Sequence, residues 1–148
     1  MEDRSEQAPD ARSLPGDKLV MIVDDDDSVR ELLEFLLKKE GFRVDTSPDG
    51  EDALKRIPEV KPDLVILDMM LPRYGGFEIL RELQNGEARD IPIVIITGRY
   101  SDSSTKAMIR QESNVREFLE KPVRPAMLAM LLHKLLNTRP QPSSKGGW

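Results

Sequence analysis

The stretch Lys18–Phe42, KLVMIVDDDDSVRELLEFLLKKEGF, decides the first step of the fold. Leu19 to Val23 is an unbroken apolar run, too short for a helix and suited to a strand buried on both faces. After the aspartates 24–27, Val29, Leu32, Leu33, Leu36 and Leu37 recur at i, i+3, i+4, i+7 and i+8, the stripe of an amphipathic helix. Asp27 or Ser28 can cap its start, and Gly41 is placed to stop it in a left-handed conformation. Strand, acidic turn and helix make one βα unit.

Working outward, the same alternation recurs. Further strand candidates are Phe42 to Thr46, Leu64 to Leu67, Ile91 to Ile96 and Phe118 to Leu119. Helical pieces follow at Glu51 to Ile57, Gly76 to Leu83, Ser103 to Gln111 and Pro125 to Leu136. Five strands alternating with five helices imply right-handed crossovers and a doubly wound parallel α/β sheet covered on both faces. The runs MIV, LVIL and IPIVII fit doubly buried strands, whereas FRVDTS alternates apolar with polar residues and suits an edge. Residues 1–16 are acidic and nearly devoid of apolar side chains, so a disordered tail is expected there. The folded domain should span 17–138, with a flexible Pro-, Ser- and Gly-rich tail over 139–148.

Composition narrows the chemistry. The 148 residues include no cysteine and one histidine, which excludes thiolate zinc sites, Cys nucleophiles and a multi-histidine metal site within one chain. Lys and Arg number 22 against 27 Asp and Glu, a net charge of −5, leaving no electrostatic footprint for nucleic acid. No apolar run is long enough to span a bilayer, and the acidic N-terminus lacks the features of a secretory signal, so a cytoplasmic protein without membrane contact is expected.

Four of the five apolar runs end at a reactive group: Asp24 and Asp25, Asp68, Thr97, and Lys121 just after Phe118-Leu119-Glu120. In a parallel sheet these ends share one edge, where open α/β sheets bind ligands at the topological switch point. Three carboxylates so close would repel one another unless something positive sits among them. A hard divalent ion answers that need, and Mg²⁺ with carboxylate ligands suits a phosphoryl site.

VDDDDSVRELL, LVILDMMLPRYGGFEIL, IITG and FLEKPV, in this order and spacing, resemble the receiver domains of bacterial two-component response regulators. The resemblance covers roughly Lys18 to Asn137 and implies a flavodoxin-like (βα)5 fold with strand order 2-1-3-4-5. By resemblance, Asp68 is the phosphoacceptor. Asp24, Asp25, Asp68 and the backbone carbonyl of Met70 would hold Mg²⁺. Thr97 would donate its hydroxyl to the phosphoryl group, Lys121 would pair with a phosphoryl oxygen, and Pro122 implies a cis Lys121-Pro122 bond. Phe118 occupies the aromatic switch position and would follow Thr97 inward on phosphorylation. Gly75 stands where Asp is common in the family, a departure confined to loop geometry.

The resemblance further implies a sensor histidine kinase or phosphotransfer protein as donor. A downstream protein or a second copy would read the face formed by the fourth helical piece, the fifth strand and the last helix. Such a protein is a signalling phosphoacceptor that catalyses only its own phosphorylation and dephosphorylation, and this chain would be a stand-alone receiver or a fragment of a larger regulator. A phosphatase of the haloacid dehalogenase kind also uses a strand-end Asp with Mg²⁺, but it needs a second acid where Met70 stands.

Three finer expectations concern side chains. In the last helix, Met127, Leu128, Met130, Leu131, Leu132, Leu135 and Leu136 cover roughly 240° at ~100° per residue, more than one sheet face requires. Met130 and Leu136, at the margins of that arc, are expected at a partner or dimer surface. Met70 and Arg99, two residues beyond Asp68 and Thr97, would by resemblance flank the path of hydrolytic water and tune phosphoryl lifetime. His133, alone among leucines, is expected to be solvated or structural, not a phosphohistidine.

Overall fold

β-Branched and leucine-rich runs with no polar interruption become the centre of a single sheet. The computed structural model describes residues 11–71, 75–98, 107, 109–112 and 114–140. Its strands are β1 (Leu19–Val23), β2 (Arg43–Ser47), β3 (Leu64–Asp68), β4 (Ile93–Thr97) and β5 (Val115–Glu120). All pair in parallel, in the order β2-β1-β3-β4-β5. The expected flavodoxin-like α/β sheet is therefore the observed one. β3 and β4 are buried at every residue, while β2 and β5, at the edges, are mostly half-buried or exposed.

Alternation along the strands divides the core into two layers. Met21, Val23, Val65, Leu67, Ile93 and Ile95 point to one face and pack on Ala53 and Ile57 of α2 (Gly50–Val60) and Ile79, Leu80 and Leu83 of α3 (Gly76–Gln84). Val20, Ile22, Leu64, Ile66, Val94 and Ile96 point to the other. They meet Leu33 and Leu37 of α1 (Asp27–Lys39) and Leu128, Leu132 and Leu136 of the C-terminal helix (Pro125–Leu136). Most of the fourth helical piece, Ser103 to Gln111, lies outside the described residues; Ala107, Ile109 and Arg110 within it are helical.

Several local expectations change. Asp26, not Asp27 or Ser28, caps α1, its carboxylate accepting the N–H groups of Ser28 and Val29. Gly41 follows the helix with φ 99°, the left-handed conformation expected of it. Leu136 is buried, which removes it from the expected partner surface. The reason is periodic: Leu128, Leu132 and Leu136 recur at i, i+4 and i+8 and form the inward stripe of their helix. Met130 points the other way and is 74% exposed.

The N-terminal segment is ordered earlier than composition suggests. Ser13 pairs with Thr138, its N–H reaching the Asn137 carbonyl at 2.9 Å and its carbonyl accepting the Arg139 N–H at 2.9 Å. Pro15 is buried at the start of a short 3-10 turn, Pro15–Asp17. His133 lies against this junction and is structural. Its Nδ1 is 2.7 Å from Thr138 Oγ1 and its Nε2 is 2.9 Å from Glu40 Oε1.

Candidate functional site

The chain leaves β1 toward β2 on one side and returns to β3 on the other, so the switch point lies between the carboxyl ends of β1 and β3. Asp24 and Asp25 follow β1 directly, and Asp68 ends β3. One carboxylate oxygen from each of the three lies within 4.8 Å of the other two. Asp24 and Asp68 are buried and Asp25 is exposed, so the cluster opens to solvent on one side.

Lys121 enters from beyond β5, its N–H bonded to the Thr97 carbonyl at 2.9 Å. Its Nζ stands 3.2 Å from Asp24 Oδ2 and 3.4 Å from Asp68 Oδ2. The Lys121-Pro122 peptide is cis, as the resemblance implied. Burial alone would lower the Lys121 pKa, but the charges of Asp68 and Asp24 and their hydrogen bonds outweigh it and raise the ammonium above its ordinary value. Burial is also the largest influence on Asp24 and raises its carboxyl; the Asp26 N–H opposes this, Asp68 adds to it and Lys121 subtracts from it.

The backbone fixes these groups in place. Asp24 Oδ1 accepts the Asp26 N–H at 2.9 Å, and Asp68 Oδ1 accepts the Met70 N–H at 3.0 Å. Thr97, buried at the end of β4, directs its hydroxyl to the Gly98 carbonyl at 3.3 Å. Asp24 Oδ2 is fully buried and faces the Lys121 ammonium at 3.2 Å. One ammonium beside three clustered carboxylates leaves negative charge in excess, which fits a hard cation held by oxygen ligands.

Gly76, at the start of α3, supports this end of β3. A Cβ there would collide with the Met69 side chain and lie 2.7 Å from Met69 Cα, so only glycine permits the helix to approach so closely. At Gly75 the nearest atom to a Cβ is Glu78 Oε1 at 3.6 Å, an ordinary contact.

Phe118, on β5, is half-buried against the first core layer, with the Arg110 guanidinium 4.8 Å from its ring centroid. Met70 is 72% exposed, so its side chain stands clear of the core beside Asp68. Arg99 lies outside the described residues. Two groups escaped the sequence reading: Arg30, which reaches back from α1 to the Asp24 carbonyl, and Arg110 over Phe118. Neither carries a strand-end signal; both act across a helical turn or between elements.

The parallel α/β sheet thus gathers three carboxylates and an ammonium at its switch point, with Thr97 at the end of the neighbouring strand. The profile of the response regulator receiver domain matches residues 20–133, and the chain belongs to this family of two-component signalling proteins. It is 35% identical over 117 residues to the transcriptional regulatory protein AfsQ1 of Streptomyces coelicolor, covering 79% of this chain and 50% of that protein. It is 34% identical over 127 residues to the response regulator MprA of Mycobacterium tuberculosis, covering 85% of this chain and 54% of the relative. The chain thus spans about half the length of the curated relatives it matches. Among solved structures, a response regulator of Chloroflexus aurantiacus superposes with a TM-score of 0.74 at 31% identity, covering 80% of this chain and 97% of the other. A response regulator receiver protein of Pseudomonas putida gives 0.75 at 26%, covering 79% and 96%. Among the described residues, no helix is long and apolar enough to cross a membrane.

Proposed function

We propose that Asp68 accepts a phosphoryl group from the phosphohistidine of a sensor kinase or phosphotransfer protein, in a Mg²⁺-dependent reaction. The observation that carries this reading is the approach of Lys121 Nζ to both Asp24 and Asp68 inside a cluster of three carboxylates. An Asp68 oxygen attacks phosphorus, the new O–P bond forms as the P–N bond breaks, and imidazole leaves to take a proton from solvent. Both reactants are anionic, so neutralisation and in-line placement supply most of the rate. Mg²⁺, held by Asp24, Asp25, Asp68 and the Met70 carbonyl, would supply positive charge to the phosphoryl oxygens. The Met70 N–H fixes one Asp68 oxygen while Lys121 meets the other.

Phosphorylation leaves about two negative charges where there was one, and new acceptor oxygens for the Thr97 hydroxyl. Movement of Thr97 vacates room beside β4 for Phe118 to turn inward, which reshapes the face of the fourth helical piece, β5 and the C-terminal helix. A downstream protein or a second copy of the chain reads that face; Met130 and Met127, 74% and 48% exposed, give it apolar contact.

Intact-mass measurement after treatment with a small acyl phosphate and Mg²⁺ should show a single added phosphoryl group. It should vanish on chelation and in Asp68→Asn. Undiminished labelling of Asp68→Asn overturns the assignment.

A further inference from the structure

Arg30 sits in the first turn of α1 with its side chain 17% exposed. Its Nη1 donates to the Asp24 carbonyl at 2.8 Å, and its Nη2 pairs with the exposed Asp27 carboxylate. The first contact lies where the sheet runs out. The ladder between β1 and β3 ends at Val23, and although the Asp24 N–H still reaches the Ser47 carbonyl of β2 at 3.2 Å, the Asp24 carbonyl has no strand opposite it. Arg30 supplies the missing donor for a carbonyl on a buried residue, which would otherwise be left unsatisfied.

That carbonyl belongs to the peptide plane joining Asp24 to Asp25. The two acids differ in how they are held. Asp24 has its Oδ1 tied to the Asp26 N–H and its Oδ2 beside Lys121, whereas among the described residues no hydrogen bond or ion pair holds the Asp25 carboxylate. The orientation of Asp25 therefore follows from its backbone. We infer that Arg30 is a positioning residue for the acidic pair: by fixing the Asp24-Asp25 peptide, it keeps the Asp25 carboxylate facing Asp24 and Asp68. This rests on the proposed Mg²⁺ site and deepens it.

The sign of the effect separates this role from a simple charge. A guanidinium near a cation site repels the cation, so removing its charge alone would tighten Mg²⁺ binding. Loss of positioning would weaken it, by about tenfold if Arg30 matches the outer partners of other metal ligands. Mg²⁺ titrations followed by calorimetry and by the amide resonances of Asp24, Asp25 and Asp26 read this directly, without phosphorylation. Arg30→Met, which has no donor for the carbonyl, should bind Mg²⁺ about tenfold more weakly. Arg30→Lys, which keeps one donor for the carbonyl, should recover most of the loss. Asp27→Asn, which removes the ion pair and leaves the carbonyl contact, should stay within about twofold of wild type. Unchanged or tighter binding by Arg30→Met overturns the inference, as does Asp27→Asn weakening binding to the same extent. Wild-type protein without saturable Mg²⁺ binding overturns both this inference and the metal site it rests on, whereas a normal wild type with unaffected Arg30→Met overturns this one alone.

Discussion

The Lys121 ammonium lies 3.2 Å from Asp24 Oδ2, yet does not restore that carboxylate to its ordinary acidity. Burial holds the Asp24 carboxyl above its usual value of 3.8. A carboxyl raised in the folded state binds its proton more tightly there than in the unfolded chain. Its stabilising contribution is full below 3.8 and lost as pH rises through the raised folded value, so ionised Asp24 is a cost at neutral pH. Asp24→Asn removes that cost and can still accept the Asp26 N–H. Without metal at pH 7, it should melt above wild type. The gain should vanish below pH 3.8, and Mg²⁺ should no longer stabilise the variant. Thermal melts over pH, with and without Mg²⁺, check this; a variant less stable than wild type at pH 7 contradicts it.

Gly76 and Gly75 make a paired test of the loop after Asp68. Alanine at Gly76 must displace the Met69 backbone, next to Asp68, and should cost about 1–3 kcal/mol while slowing phosphorylation. Alanine at Gly75 meets only an ordinary contact and should stay within about 0.5 kcal/mol. Urea unfolding and the rate of mass labelling measure both, and equal effects at the two glycines would refute the close-approach explanation.

What the sequence made legible follows burial. β3 and β4 are enclosed on both faces, so their apolar runs announce them, and the reactive groups at their ends are found with them. β5 was read as two residues because Arg116, Glu117 and Glu120 are exposed on this edge strand and interrupt its pattern. The junction of Ser13 with Thr138 was missed because it is made of backbone hydrogen bonds, to which composition is blind. Leu136 was misplaced because an arc of apolar residues shows how wide a helix face is but not which margin the sheet covers. Arg30 gave no signal because its partner is a carbonyl, not a side chain.

His133 bonds to Thr138 and Glu40 and meets the Phe42 ring at a tilt of 33°, centroids 5.0 Å apart, closing the junction of α1, the C-terminal helix and the N-terminal segment. His133→Ala leaves a cavity and two polar groups without their partner, and should cost about 2–4 kcal/mol in urea unfolding. With both ring nitrogens engaged and the residue buried, it takes no phosphoryl group, so His133→Gln should label as fully as wild type. A loss below about 1 kcal/mol for alanine would show that this network is incidental.

Met130 is the sharpest probe of the proposed output face, since it can be charged without disturbing the core. Met130→Glu should leave the melting temperature within about 2 °C and phosphorylation unchanged, while weakening any partner complex or dimer formed on phosphorylation. Sedimentation of the phosphorylated protein, alone and with its partner, reports the outcome. Association identical to wild type would move the output surface elsewhere.

Phosphoryl lifetime turns on what stands in the path of water. Hydrolysis needs a water in line with the bond from Asp68 to phosphorus, held by an acid or amide that can orient it. The Met70 amide is tied to Asp68 Oδ1, which fixes the base of its side chain beside Asp68, and the thioether beyond it cannot orient water. Its exposure leaves it free to cover the approach once a phosphoryl group is present. Arg99, two positions after Thr97, is likewise no base, and its guanidinium can hold phosphoryl oxygens. Slow autodephosphorylation is therefore expected. Met70→Asn should accelerate it by supplying a water-orienting amide, and Met70→Asn with Arg99→Glu should accelerate it further by adding a carboxylate and removing the cation. Decay of the phosphorylated mass at saturating Mg²⁺ gives the rates. A double variant that loses phosphate no faster than wild type would eliminate this account of the lifetime and leave Asp68 as the acceptor.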